Sequence, residues 1–157
     1  MVNVLGIDEN EICKKLFDIY NLGKLNHINI VGFWKRPFDN IADYTDSSNG
    51  FCRALDFKSI LVDKDGYTSP CGYSRLKISK IETYKDVITD SKYIDFIKNN
   101  LRGNIDKCKG CKIEGVCKGG CLISREVSQD EEKIFKYRCS IYLQMTELLL
   151  KSAEYED

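Results

Sequence analysis

Cys108-Lys109-Gly110-Cys111-Lys112-Ile113-Glu114-Gly115-Val116-Cys117-Lys118-Gly119-Gly120-Cys121 puts four thiols into fourteen residues of a 157-residue chain. The run is rich in glycine and lysine and has no apolar periodicity, so residues 104–120 read as an irregular loop. Its spacing is C-x2-C-x5-C-x3-C. A C-x2-C loop curls so that two thiolates reach one centre, and Gly110, Gly115, Gly119 and Gly120 permit tight turns that leave backbone N–H groups free to point at sulfur. Working outward, Cys139 follows the run, and Cys52-x13-Gly66-x4-Cys71 precedes it. Seven thiols are too many for one four-coordinate ion. Three chemistries compete: a closed tetrahedral zinc site, iron–sulfur clusters that each take up to four cysteines, and disulfides. Eight cysteines in all, about 5% of the chain, fall below the ~8–10% of a disulfide scaffold. The start, Met1-Val2-Asn3-Val4-Leu5-Gly6-Ile7-Asp8, shows neither a basic n-region nor an apolar h-region, so the expected location is the cytoplasm. A reducing compartment keeps such thiols free, which places metal before disulfide. Spacing alone leaves zinc and iron–sulfur level.

The rest of the chain supplies a small framework for this loop. Hydrophobic residues are 43% and charged residues 31%, enough for a modest core. Lys plus Arg equals Asp plus Glu at 24 each, which gives no reason to expect nucleic acid or an anionic membrane as partner. Residues 8–22 carry a capping box, Asp8 with Glu11, ahead of Ile12, Leu16, Ile19 and Tyr20 at helical spacing, with Gly23 as the stop. His27-Ile28-Asn29-Ile30-Val31-Gly32-Phe33 reads as a short strand. Residues 36–50 read as a break, with Pro37 and the polar run Thr45-Asp46-Ser47-Ser48-Asn49-Gly50, and a domain boundary is expected there. Beyond it, Ser59–Asp63 and Tyr67–Pro70 flank Lys64-Asp65-Gly66 as an antiparallel ribbon. Ser91–Leu101 and about Cys139–Lys151 read as helices, the second carrying Ile141, Tyr142, Met145, Leu148 and Leu149 inward. The fold class is α+β with small elements: a helix–strand segment, then a β-hairpin, an irregular Cys-rich loop and a C-terminal helix.

The order C-x13-G-x4-C, gap, C-x2-C-x5-C-x3-C, gap, C resembles the SPASM domain, the auxiliary iron–sulfur domain at the C-terminus of many radical S-adenosylmethionine peptide-modifying enzymes. Val62-Asp63-Lys64-Asp65-Gly66-Tyr67, Pro70-Cys71-Gly72 and Cys117-Lys118-Gly119-Gly120-Cys121 agree with it locally. The resemblance covers residues 50–145, and residues 8–40 resemble more loosely the last helix and strand of the partial barrel that precedes that domain. It divides the chain into a 1–49 segment with linker and a 50–157 iron–sulfur domain. It implies two 4Fe–4S clusters, the first held by Cys52, Cys71 and Cys121 and the second by Cys108, Cys111, Cys117 and Cys139, with zinc possible in aerobically prepared protein. The first cluster, with three protein thiolates, is left with an open iron or an oxygen ligand. A radical S-adenosylmethionine core requires C-x3-C-x2-C, and Cys117-x3-Cys121 is followed three residues on by Ser124, so the chain is expected not to be catalytic alone. The implied role is electron transfer or peptide substrate engagement beside a radical S-adenosylmethionine core or partner enzyme, with a precursor peptide as substrate. The alternative is a peptide- or partner-binding module in which clusters, or zinc, are structural staples.

Other residues have plainer readings. Cys13, beside Ile12 and Leu16, reads as a buried inert thiol. His27, the only histidine, reads as a strand residue with no metal or acid–base role. Trp34 with Phe33, Pro37 and Phe38 reads as packing before a peptide-docking patch. Lys107, Lys109, Lys112 and Lys118 read as a solvated surface, or as cations that favour reduction of a cluster whose oxidised four-thiolate form carries roughly −2.

Overall fold

The computed structural model describes residues 6–42, 51, 53–56, 59–74, 76–80, 84–101, 103–121 and 131–154. Helix α1 spans Glu9–Leu25 and α2 Arg36–Ala42. Strands β1 (Leu61–Val62) and β2 (Thr68–Ser69) follow, then α3 (Tyr84–Thr89), α4 (Ser91–Asn100), the single turn α5 (Glu114–Cys117) and the long α6 (Glu131–Glu154). The chain divides into two compact units, Met1–Asp46 with Ser124–Asp157, and Ser47–Ile123.

In the first unit, α1 starts at Asp8, whose carboxylate accepts from the N–H groups of Asn10 (2.8 Å) and Glu11 (3.1 Å). Glu11 itself pairs with Lys15 at 2.7 Å. The helix does not stop at Gly23. It runs two residues further and ends in a Schellman motif: His27 takes a left-handed φ of 55°, its N–H donates to Lys24 O, and the Ile28 N–H donates to Gly23 O at 2.8 Å. Gly23 is there because a Cβ would stand 2.4 Å from Ile30 Cγ1.

The expected strand over His27–Phe33 does not form. Its first residue is left-handed, and a strand needs a neighbour to pair with. Among the described residues no backbone hydrogen bond joins the N–H groups of Asn29, Ile30, Val31 and Gly32. The expected break also begins too early, because α2 occupies 36–42. Proline is tolerated in a first turn, where the N–H it lacks would have had no helical acceptor. Lys35 and Asp39 pair across that turn at 3.0 Å, and Phe38 packs inward. Residues 43–50, the remainder of the break, lie outside the described residues.

Cys13, Tyr137, Ile141, Met145 and Leu149 form the core of this unit, flanked by Ile12, Leu16, Phe17, Tyr20, Trp34 and Phe38. The described part of α6 opens at Glu131, eight residues before the expected Cys139; its i, i+4 apolar series runs from Tyr137 to Leu149, and Glu132 pairs with Lys136 (2.8 Å) ahead of it. Leu22, Leu25, Ile28, Val31 and Phe33, near one another in sequence around the end of α1, are each exposed, with Leu25 at 80% and Val31 at 77% exposure.

In the second unit the ribbon forms as expected, with Leu61 opposite Ser69 and Val62 opposite Thr68. Asp63 builds its turn. The Asp63 carboxylate accepts from the N–H groups of Asp65 and Tyr67, each at 2.9 Å, and pairs with Lys77 at 3.1 Å. Gly66 supplies the one positive φ (82°) that closes a three-residue loop. Thr68 also exchanges backbone bonds with Ile78 and Ser79. The core beneath is Leu55, Ile78, Val87, Tyr93, Phe96 and Ile97, with α4 capped by Asp90 on the Lys92 N–H. Among the described residues no helix is long and apolar enough to cross a membrane.

Candidate metal centre

The ligand loop is built from short turns. Ile105 is buried and anchors a single 3-10 turn, Asp106–Cys108, in which the Cys108 N–H donates to Ile105 O at 2.9 Å. Gly110 at φ 79° turns the chain, and the Cys111 N–H donates to Cys108 O at 3.0 Å. The C-x2-C pair therefore sits on one closed turn, as its spacing requires. Helix α5 then carries Cys117, whose N–H donates to Ile113 O at 2.7 Å. Three consecutive left-handed residues follow: Lys118 (φ 54°), Gly119 (81°) and Gly120 (68°). They reverse the chain toward Cys121, and the Gly120 N–H donates to Cys117 O at 3.3 Å.

Cys108 and Cys117 are buried, and Cys71, Cys111 and Cys121 are half-buried. Cys71 leaves the ribbon just past the buried Pro70, its carbonyl accepting from the Ser74 N–H and the Ser69 hydroxyl. Cys139 is half-buried on α6, in the other unit. Cys52 lies outside the described residues. No disulfide joins the described cysteines, and among the described residues no three His, Cys, Asp or Glu side chains are grouped so as to hold one metal ion. The donor set has the right chemistry for an iron–sulfur or zinc–thiolate centre, being all sulfur and uncrosslinked, with Cys108, Cys111, Cys117 and Cys121 carried on turns in which Gly110, Gly119 and Gly120 take positive φ.

Cys13 is of another kind. It is 2% exposed in the core of the first unit, and burial, with the nearby Glu9 carboxylate, pushes its thiol up to about 11. His27 is an exposed helix-capping residue rather than a strand residue.

The lysines of the loop separate sharply. Lys107, Lys109 and Lys112 are exposed, Lys109 pairing with Asp106 at 2.6 Å. That hydrogen bond holds the Asp106 carboxyl below its ordinary value and the Lys109 ammonium above its own. Lys118 is 5% exposed, in a conformation that L-residues avoid. Sequence reading grouped it with the other three. The Gly-Gly that follows it, marking a left-handed reversal, was the available signal.

No family model matches the chain. It is 27% identical over 149 residues to a cysteine-type anaerobic sulfatase-maturating enzyme of Clostridium perfringens (strain 13 / Type A), a match that spans 89% of this chain and 39% of that enzyme. The same enzyme from a second strain of that species matches to the same extent. A solved structure described as "Native anSMEcpe with bound AdoMet" superimposes with a TM-score of 0.61 at 22% identity, over 95% of this chain and 43% of the other. The fold is thus that of part of this structure, and the chain spans 39% of the length of the curated relatives it matches.

Proposed function

We propose that the chain is an iron–sulfur auxiliary module of the SPASM type, working with a radical S-adenosylmethionine maturase core. The observation that carries this reading is the seven-cysteine spacing, found in a chain similar to part of a sulfatase-maturating enzyme. Cys52, Cys71 and Cys121 hold one cluster, and Cys108, Cys111, Cys117 and Cys139 the other. Bound there, such clusters supply one-electron transfer and, at an open iron, a site for a substrate thiolate. The chain's own contribution is to present the thiols of Cys108–Cys121 on turns that glycine permits, and to keep Cys108 and Cys117 out of solvent. The protein partner is the maturase core, and the substrate is a peptide or protein side chain. The exposure of Leu22, Leu25, Ile28, Val31 and Phe33 within twelve residues of chain supports a protein partner, because exposed apolar surface favours association.

The test is anaerobic purification with iron, sulfide and zinc analysis. The expected result is a brown protein with roughly eight irons per chain. A colourless protein holding one zinc, and no iron after anaerobic reconstitution, would overturn the reading. A second reading, clusters as staples of a peptide- or partner-binding module, is favoured by one observation: residues 103–121 contribute to neither of the two apolar cores. Redox titration separates the two readings, since a relay must cycle at an accessible potential and a staple need not.

A further inference from the structure

We propose that residues 28–32, with Leu22 and Leu25 of α1, are the face on which the maturase core docks, and that 28–32 become a strand when a strand edge of that core pairs with them. This rests on the reading above and deepens it by naming the surface. The inward residues of α1 are Ile12, Cys13, Leu16, Phe17 and Tyr20. Leu22 and Leu25 lie about 150° round the helix from them, at 61% and 80% exposure. The chain then folds back on this last turn: the Ile28 N–H donates to Gly23 O at 2.8 Å, and Ile30 stands over Gly23. Asn29 and Val31, which alternate with Ile30, are exposed. No residue of 28–32 has a positive φ, so a strand asks for no left-handed residue to be undone. Among the described residues the N–H groups of Asn29, Ile30, Val31 and Gly32 donate no backbone hydrogen bond, and the carbonyls of Asn29, Ile30 and Val31 accept none.

An edge left open to water is ordinarily blunted by lysine, proline or a bulge. Residues 25–34 hold no Asp, Glu, Lys, Arg or Pro. An uncharged edge carrying Ile28, Ile30 and Val31 suits strand addition, in which main-chain bonds supply affinity and alternate side chains supply specificity. The relatives point to the occupant. The sequence match takes in 39% of the sulfatase-maturating enzyme and the superposition 43% of the solved chain, so in each a larger body of chain accompanies the part that resembles this one.

The experiment is amide hydrogen exchange on two proteins: the isolated full chain, and the Clostridium perfringens enzyme with its matching part replaced by this chain. In the isolated chain the amides of 29–32 should exchange close to the unfolded rate. In the chimera those that face the new strand should slow by about a hundredfold or more. Leu25→Lys and Val31→Lys should leave the melting temperature of the isolated chain unchanged and lower that of the chimera by several degrees, because each side chain is exposed in the one and covered in the other. Unprotected 29–32 in the chimera overturns the proposal, as does an equal fall in both melting temperatures. A chimera without a cooperative melt overturns it too, since a face that fits the core should seat there. So does protection of 29–32 in the isolated chain: the occupant is then a second copy if protection grows with concentration, and the chain itself if it does not. Iron content after anaerobic reconstitution keeps the two readings apart. Iron bound with 29–32 unprotected overturns the docking face alone, and protection without iron overturns the cluster reading alone.

Discussion

Cys13 separates a buried structural thiol from a ligand, and its reactivity can be worked from its surroundings. It lies against Tyr137, Ile141, Met145 and Leu149, and burial raises it from 9.0 to about 11. Only the thiolate alkylates, so at pH 8 about one molecule in ten is reactive in an unfolded chain and about one in a thousand in the folded one. Ionisation alone therefore predicts roughly 100-fold slower labelling, and poor access adds to that. The assay is iodoacetamide under anaerobic reducing conditions, quenched at intervals and read at the Cys13 peptide, in buffer and in denaturing urea. In the folded protein the rate should climb about tenfold per pH unit up to pH 10, where the unfolded chain has already levelled off. The same raised value means that the stability due to a neutral Cys13 is full below about pH 9 and is lost as the pH rises toward 11. Labelling of folded Cys13 within tenfold of its unfolded rate would refute the buried-thiol assignment and make it a ligand candidate.

Gly23→Ala gains about 1 kcal/mol of helix propensity but drives a methyl into Ile30 and to 2.9 Å from the Ile28 carbonyl, an overpacking of roughly 1–3 kcal/mol. A net loss of about 1 kcal/mol should appear in urea unfolding followed by Trp34, the only tryptophan, and a stabilised variant would contradict the packing. Asp63→Ala removes the acceptor for two turn N–H groups and the partner of Lys77, so the melting temperature should fall. Those bonds hold the Asp63 carboxyl below 3.8; its contribution is present above that value and lost as the pH falls through the lowered one, so the variant should lose that acid dependence, as a pH series of melts will show. Cys117→Ser should lose the iron of the second centre while Cys13→Ala keeps full iron and loses only about 1 kcal/mol of stability; metal analysis showing the reverse would break the ligand assignment.

Much of the framework was legible because it obeys local rules. Asp8 ahead of a 3.6-residue stripe, and Asp65-Gly66 between two short apolar runs, each name one element, and each element forms. The cysteine turns were legible for the same reason, since Gly110 sits where the C-x2-C loop has to reverse. The misreadings all depend on something farther away. Gly23 looked like a stop, yet the helix continues because Ile30 packs over it. The segment 28–33 has a strand's alternation, and alternation cannot supply a neighbouring strand. Residues 36–42 looked like linker until Phe38 found the core formed with α6. Lys118 is the same lesson at the site: its sequence context says lysine among lysines, and only burial and φ set it apart.

On the proposed cluster reading, the placement of the cores would give the metal a thermodynamic role. The first unit has an apolar core of its own, and so has the second through Leu55, Val87, Tyr93, Phe96 and Ile97. The loop 103–121 belongs to neither core. It is held by Ile105, by i to i+3 and i to i+4 backbone bonds, and by glycines at positive φ, which carry a large entropy cost on ordering. A segment of that kind has little apolar burial to offset its ordering, so on the proposed cluster reading ligand binding would fix it, and metal affinity and local folding would be one free energy. Hydrogen exchange compares the two directly. On anaerobic loading with iron and sulfide, the amides of Cys111, Cys117 and Gly120 should gain protection, while those of Phe96, Ile97 and Met145 in the cores change little. Equal protection of the loop without metal would show that the chain alone fixes it, and would remove the reason for treating the centre as part of the fold.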